Sequence, residues 1–472
     1  MTLTSLLIPL GFLLFFMPWP LLLAALPVFA LFHGAAVVNV GAVGLQPGYF
    51  LALLVIARTL LEITLLRQPF NRDALLQVVP LSLLILITLL ILWISVAFFT
   101  GKVLVIGGTD GYNLDLARPY QFRRENLTQV AYLVINTLLV YAIAHQASQL
   151  GPSRVLRVID VGLLSAIVVA LGFCGWQLLA ESTGIWFPDA FLFSNAGYYR
   201  ADGQAFYGYL RLNGPFAEPS ALAYFLGGFL FYIWKRARLA PTVLSTSLTV
   251  AVIGAIALAF STTGYFILAA FTVVAAADLL PRNSIILRMP RLTGRGVVKA
   301  SLLLGAGGVA AAWVLANFEG LLEVLQVSLF EKSETSSFEV RSGAERMALD
   351  IVAQTAGLGI GLGSHKANSL TLTLLSNLGF IGIAFFGLFI FTLLRPQAPW
   401  PAVNRKEVGF SVAPLRFFII GLLLIHAVSN PNFNVVLLWI GFGLMAGYRV
   451  SMRRFVGPLQ AEAARPNARA VA

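Results

Sequence analysis

Apolar runs of about 20 residues, the length an α-helix needs to cross a bilayer, recur along the whole 472-residue chain. Lipid offers no partner to backbone N–H and C=O groups, so such runs leave helices as the spanning structure. The runs are continuously apolar and do not alternate, which argues against a β-barrel. Composition agrees, at 58% hydrophobic and 11% charged residues with a mean hydropathy of +0.85. The reading is an all-α polytopic membrane protein with about 12 transmembrane helices, or about 13 if residues 4–33 form a hairpin. Pro18 and Pro20 divide that first stretch, so it is either one kinked span or a shallow hairpin. The N-terminus has no basic n-region and no small-residue cleavage site, so no removable signal peptide is expected. Cys174 is the single cysteine, which excludes intrachain disulfides and cysteine metal sites.

The remaining spans fall near residues 48–66, 75–99, 127–147, 157–180, 215–234, 242–260, 262–280, 300–317, 369–394, 414–429 and 433–450. Loops holding Arg67 and Arg72, Arg154 and Arg157, Lys235 to Arg238, Arg282 to Lys299, and Arg453 and Arg454 share one side, which the positive-inside rule makes cytoplasmic. Both termini then lie inside. The +12 net charge is explained by this topology and does not mark a nucleic-acid surface. Residues 1–455 read as one transmembrane domain, with a large helical extracytoplasmic loop at 318–368 and a polar cytoplasmic tail at 456–472. Within spans, Arg58 and Glu62 are four apart and positioned to neutralise each other. His145 and His426 lie near helix ends and read as packing residues.

Two polar stretches stand out against this background. The first, RLNGPFAEPSALAYFL, brings Arg211, Asn213 and Glu218 to the outer end of a span. A charged group there needs a partner, so a site or a structural ion pair is implied. The second runs from Glu319 to Gly382. Residues 319–330 have helical apolar spacing, and Ser336 with Glu339 forms a capping-box pattern that opens a further helix with Arg341, Glu345, Arg346 and Asp350. Gly357 is placed to close it. Gly359, Gly361 and Gly363 then alternate with Ile and Leu, and a new helix is expected near Asn368 or Ser369. Glycine amides beside a helix N-terminus and arginines make a natural anion site. The plainer reading makes Arg341–Glu345 and Arg346–Asp350 surface pairs and the glycines a flexible connector.

The pattern R-x-x-G-x-F-x-E-P-S beginning at Arg211 resembles that of the O-antigen polymerase and O-antigen ligase superfamily. FSTTGY, Phe260 to Tyr265, is similar to its tight Ser/Thr turn, and Arg341 ahead of Gly359-x-Gly361-x-Gly363 is similar to its large-loop motif. The resemblance spans roughly residues 211–391. It implies a multipass glycosyltransferase of the bacterial inner membrane acting on undecaprenyl-diphosphate-linked oligosaccharides at the periplasmic face. By the resemblance, Arg211 and Arg341 grip the diphosphate, Glu218 orients an arginine or a sugar hydroxyl, and His365 is a candidate base. Asn213, Arg346, Gly359, Gly361, Gly363 and Asn368 would contact substrate.

Ligase-type members carry a His-Asn pair where this chain has Asn368-Ser369, and the nearest histidine is His365. The expectation is therefore a polymerase for O-antigen, capsule or exopolysaccharide. Ligase-type transfer to lipid A core or protein is the alternative, and a lipid-glycan transporter comes third. No cofactor is expected. Asp110, Asp115 and Glu125 share an outer loop and form a minor candidate metal site, disfavoured because no histidine accompanies them and the spacing is unremarkable, so no metal is expected. Implied partners are the lipid-linked glycan, the bilayer, a chain-length regulator and a flippase, with no nucleic acid.

Overall fold

The computed structural model describes residues 3–41, 43–107, 114–198, 205–206, 209–279, 336–395 and 411–463. The described residues are mostly helical, with five helices long and apolar enough to cross a membrane and several shorter apolar ones. This is compatible with an all-α membrane protein. The expected span at 300–317, the helix at 319–330 and Asp110 lie outside the described residues.

Helices α1 (Leu7–Phe16) and α2 (Trp19–Phe29) replace the first apolar stretch, with the break at Met17 and Pro18. That break leaves carbonyls without helical partners, and Arg58 supplies them. Its Nη1 donates to Phe15 O at 2.7 Å and Met17 O at 2.6 Å, while Nε pairs with Glu62 at 3.1 Å. Glu62 also accepts from Trp19 Nε1 and Gln146 Nε2, both at 2.9 Å. The expected Arg58–Glu62 pair is thus present, and it does more than cancel charge: it closes the proline break, on α3 (Pro47–Thr64).

After α3 come α4 (Arg72–Phe98), α5 (Arg124–Ala147), α6 (Pro152–Thr183) and the single turn α7 (Asp189–Leu192). Helices α8 (Pro219–Leu239), α9 (Val243–Leu258) and α10 (Thr262–Leu279) follow, then α11 (Ser336–Gln354) and α12 (Leu370–Leu394). The last two are α13 (Ala413–Ser429) and α14 (Val436–Ala463). Helix α14 runs past residue 455, so the first part of the expected polar tail is helix. Among the described residues, three short antiparallel strand pairs, Val38–Val40 with Val43–Leu45, Leu104–Val105 with Arg118–Pro119, and Ala205–Phe206 with Tyr209–Leu210, ornament the helical frame.

Helix α14 is the axis, with every residue from Val435 to Ser451 buried. Gly443 and Gly447 let α5 approach it so closely that a Cβ at Gly447 would stand 2.5 Å from that of Ala147. Small residues four apart on a helix are how apolar helices gain contact area where no water is present to drive them together.

The two ends of the bundle differ in chemistry. At one end, cations are consumed by ion pairs: Arg236 with Asp160 at 2.6 Å, Lys235 and Arg238 with Asp278 at 2.6 and 2.8 Å, and Arg453 with Asp73 at 3.8 Å. Asp160 and Asp278 lie within apolar helices, and their role as partners was not read from the sequence. The other end gathers the finish of α4, α6, α9 and α13 with the start of α5, α8, α10 and α12. Both polar stretches singled out above come together there.

Candidate functional site

The site end is organised by a break in α12. Gly379 has φ +63° and ψ −169°, a backbone conformation open to glycine, and a Cβ there would strike the Gly357 carbonyl. In an unbroken helix the Phe380 amide would bond to Ser376 O. Here it donates to Gly357 O at 3.0 Å, and Ser376 O accepts from Ile360 N at 3.1 Å. Asn377 O accepts from Gly361 N at 2.8 Å. The glycine loop is therefore threaded into the opened helix.

This threading explains the glycines. Gly359, Gly361 and Gly363 have φ of +85°, +88° and +86°. A Cβ on Gly359 would lie 2.7 Å from Asn377 C, on Gly361 2.6 Å from Leu92 Cδ1, and on Gly363 2.7 Å from Glu125 O. The amides of Gly359 and Gly361 go to Thr355 Oγ1, at 3.1 Å, and to Asn377 O. The expectation that these glycines expose amides to a ligand is corrected for those two: their missing side chains admit the Asn377 backbone and Leu92, and their amides are spent within the fold.

Asn377, fully buried, holds the next turn of the loop. Its Oδ1 accepts from Ser364 N at 2.9 Å and His365 N at 3.0 Å, and its Nδ2 donates to His365 O at 2.7 Å and Thr373 O at 2.6 Å. His365 is 2% exposed. Its Nδ1 accepts from Ile106 N at 3.3 Å, and Nε2 faces Ala344 O at 3.1 Å, a carbonyl that can only accept. The imidazole is thus the neutral tautomer with hydrogen on Nε2. Burial pushes its pKa down to about 4, against a smaller opposing effect of the Ala344 carbonyl. With both nitrogens committed to backbone, His365 joins α11, the 103–107 segment and the loop, and has no free nitrogen for a general base.

The sign of that shift gives a pH prediction. The folded pKa of about 4 lies below the ordinary 6.5, so the stability contributed by neutral His365 is complete above pH 6.5 and is lost as pH falls toward 4. The full contribution is on the order of 3 kcal/mol. Hydrogen exchange at residues 344–348 and 364–367 is expected to accelerate between pH 6.5 and 4.5, and His365→Gln to remove most of that dependence.

The next residue, Lys366, is half-buried, and its amide donates to Ile106 O at 3.1 Å. Burial lowers its pKa, and the charge of Glu218 works against that effect. Glu218 acts on Arg211 in the same sense. Burial lowers the Arg211 pKa, opposed first by Glu218 and then by Tyr265. One carboxylate therefore sits in the field of two cations from separate stretches.

Local structure accounts for each position. Glu218 is the exposed N-cap of α8 ahead of Pro219, and its Oε2 accepts from Ser220 Oγ at 2.8 Å. Arg211 is half-buried, and its Nε reaches Ala259 O at 3.5 Å; Leu212 N donates to Leu258 O at 3.0 Å. The Arg211 stretch thereby lies against the corner before the Ser261–Gly264 turn. Asn213 serves this bend. Its Nδ2 donates to Phe216 O at 2.6 Å, its Oδ1 accepts from Gln177 at 2.6 Å, and Gln177 Oε1 accepts from Asn213 N and Gly214 N at 3.1 and 2.7 Å.

Arg341 is half-buried on α11, three residues before Ala344, and hence on the helix face that meets His365. Among the described residues it makes no ion pair with Glu345, nor does Arg346 with Asp350. Arg346 is exposed, and its Nε reaches Ser342 O in its own helix at 3.4 Å. Asn368 Nδ2 donates to Val428 O at 3.3 Å, tying the loop to the end of α13.

The structure thus brings Arg211, Glu218 and Lys366 into one electrostatic neighbourhood, with Arg341 linked to it through Ala344 and His365. Arg346 is exposed and bonded within its own helix, and Asn213, Gly359 and Gly361 serve as scaffold. Lys366, Gln177 and Asn377 were missed in the sequence. A lysine beside the singled-out histidine was the one available signal. No protein-family model matches the chain, and neither the curated proteins nor the solved structures contain a match.

Proposed function

We propose that the protein is a membrane glycosyltransferase that joins undecaprenyl-diphosphate-linked oligosaccharide repeat units at the periplasmic face of a bacterial inner membrane. The supporting observation is that Arg211, Glu218 and Lys366, from sequence stretches far apart, lie at one end of an apolar helical bundle, where the Glu218 charge acts on both cations. Guanidinium and ammonium groups at the edge of a lipid-facing bundle suit a ligand with a charged headgroup and a long apolar tail. Arg211 and Arg341 hold the diphosphate and stabilise the charge that grows on it as the anomeric bond breaks. The resemblance of the Arg211, Phe260 and Arg341 stretches to polymerase-type enzymes favours this chemistry over attachment of a finished glycan. The loop cations at the opposite end of the bundle favour a cytoplasmic placement of that end. Such a protein has about 12 spans with both termini inside.

The test is reconstitution of the full chain in liposomes with lipid-diphosphate-linked oligosaccharide. A ladder of products rising by whole repeat units is expected, with lipid diphosphate released once per addition. A single transfer to a different acceptor would replace this reading with a ligase. Flux of substrate at unchanged glycan length would replace it with a transporter.

A further inference from the structure

Helices α3 and α5 run side by side in the same direction, since Tyr49 Oη donates to Asn136 Oδ1 at 3.2 Å and Gln146 Nε2 to Glu62 at 2.9 Å. Between their first turns lies a groove of about 190 Å³, several times the room a water needs. Tyr49 and Leu53 line it from α3, and Thr128, Ala131, Tyr132 and Ile135 line it from one face of α5. Its floor is firm: the Tyr49 and Tyr132 rings stand 5.0 Å apart, and Tyr49 Oη also donates to Asn434 O at 2.7 Å. Arg124, four residues before Thr128, heads the same stripe of α5. With Arg123 and Glu125 it lines an open depression of about 550 Å³ that reaches Leu127, next to the groove. Two guanidinium groups and the positive end of α5 outweigh one carboxylate there. Arg124 is exposed and makes no ion pair among the described residues. Gln46, the half-buried N-cap of α3, also lines the groove, and its side chain caps no amide.

We propose that this groove seats one anionic phospholipid, with its phosphate on Arg123 and Arg124, an ester carbonyl at Gln46 and an acyl chain between α3 and α5. A cationic rim, an amide and an apolar floor follow one another in the order of those three parts of the lipid. A zwitterionic lipid fits less well, because its own cation meets the arginines. The seat needs only that the bundle lie in a bilayer, whatever ligand Arg211 meets. It also reaches the glycine loop. Asn126, two residues beyond Arg124, donates to Leu362 O at 2.9 Å and to Ser364 Oγ at 2.7 Å, and Gly363 packs closely on Glu125 O. A lipid that steadies the start of α5 therefore steadies residues 362–364.

Native mass spectrometry of the detergent-solubilised full chain, titrated with dioleoylphosphatidylglycerol and with dioleoylphosphatidylcholine, tests this. The anionic lipid is expected to bind about 25-fold more tightly, about 5-fold for each arginine. Arg124→Gln is expected to cut that preference about 5-fold, and Arg124→Lys to cut it by less than about 2-fold. Ala131 is exposed, so Ala131→Trp fills the groove without entering the core, and it is expected to weaken both lipids by about 10-fold. Phosphatidylglycerol is also expected to slow hydrogen exchange at residues 362–367 in the unmodified protein and not in the Ala131→Trp protein. Equal binding of the two lipids, or unchanged binding by Ala131→Trp, would overturn the site. Displacement of phosphatidylglycerol by glycerol 3-phosphate would make it a site for soluble anions instead, and displacement by an equal concentration of farnesyl diphosphate would give the groove to an isoprenoid.

Discussion

Under the proposed function, Arg211→Ala is expected to lower the rate of glycan transfer by about 10³-fold while leaving the protein folded, the loss seen when a charge-stabilising donor is taken from a low-dielectric site. The effect follows from where the guanidinium stands. It is half-buried at the apolar end of the bundle, its Nε contact to Ala259 is long at 3.5 Å, and burial already weakens its hold on its proton. A cation held there at an electrostatic cost interacts strongly with any anion that arrives, because water screens it poorly. Arg211→Lys keeps the charge but loses the planar fork, so a loss of about 10- to 100-fold is expected. Arg346→Ala is the matched control. That side chain is exposed and bonded only within its own helix among the described residues, so its loss is expected to change the rate less than about twofold. Arg211→Ala turning over within a factor of three of the unmodified protein would remove the clamp from the mechanism.

Much of the fold was legible because membrane helices announce themselves by length and apolarity. The expected spans at 127–147 and 369–394 nearly coincide with α5 and α12, and Ser336 and Ser369 stand at the predicted helix starts. The proline break near residue 18 was legible as well. What satisfies it was not, since Arg58 and the carbonyls of Phe15 and Met17 are over 40 residues apart and meet through tertiary packing. The same limit applies to Asp160 and Asp278. A sequence shows an acid in an apolar run, but which cation reaches it depends on how helices pair.

The site was legible in its arginines and misread in its glycines for one physical reason. A glycine with positive φ admits close approach, and sequence cannot say what approaches. Phosphate was the natural expectation for Gly359 and Gly361, yet the visitor is the protein's own chain, the backbone of Asn377 and Gly379 at the first and Leu92 at the second. Lys366 was passed over because a lysine in a polar loop is ordinarily solvated. Only the fold, by pinning His365 on one side and Asn368 on the other, draws it into the field of Glu218.

Asn377→Leu carries the largest expected effect on stability. The two side chains are similar in size, so little cavity is created and the loss is one of hydrogen bonds. Asn377 is fully buried and answers the amides of Ser364 and His365 and the carbonyls of His365 and Thr373. Leucine leaves both amides and the His365 carbonyl without that partner in a buried loop, at about 1–3 kcal/mol for each group left unsatisfied, or about 5 kcal/mol together. That is a large share of the stability of an ordinary domain. The cost is local, because α12 and the threaded backbone from Gly357 to Gly361 keep their own bonds. Hydrogen exchange at residues 362–367 is therefore expected to rise sharply, while α5 and α14 keep their protection. Thr355→Val removes a single bond to Gly359 N and is expected to cost only about 1 kcal/mol. Protection at 362–367 equal to that of the unmodified protein would show that the loop is held by something other than this amide.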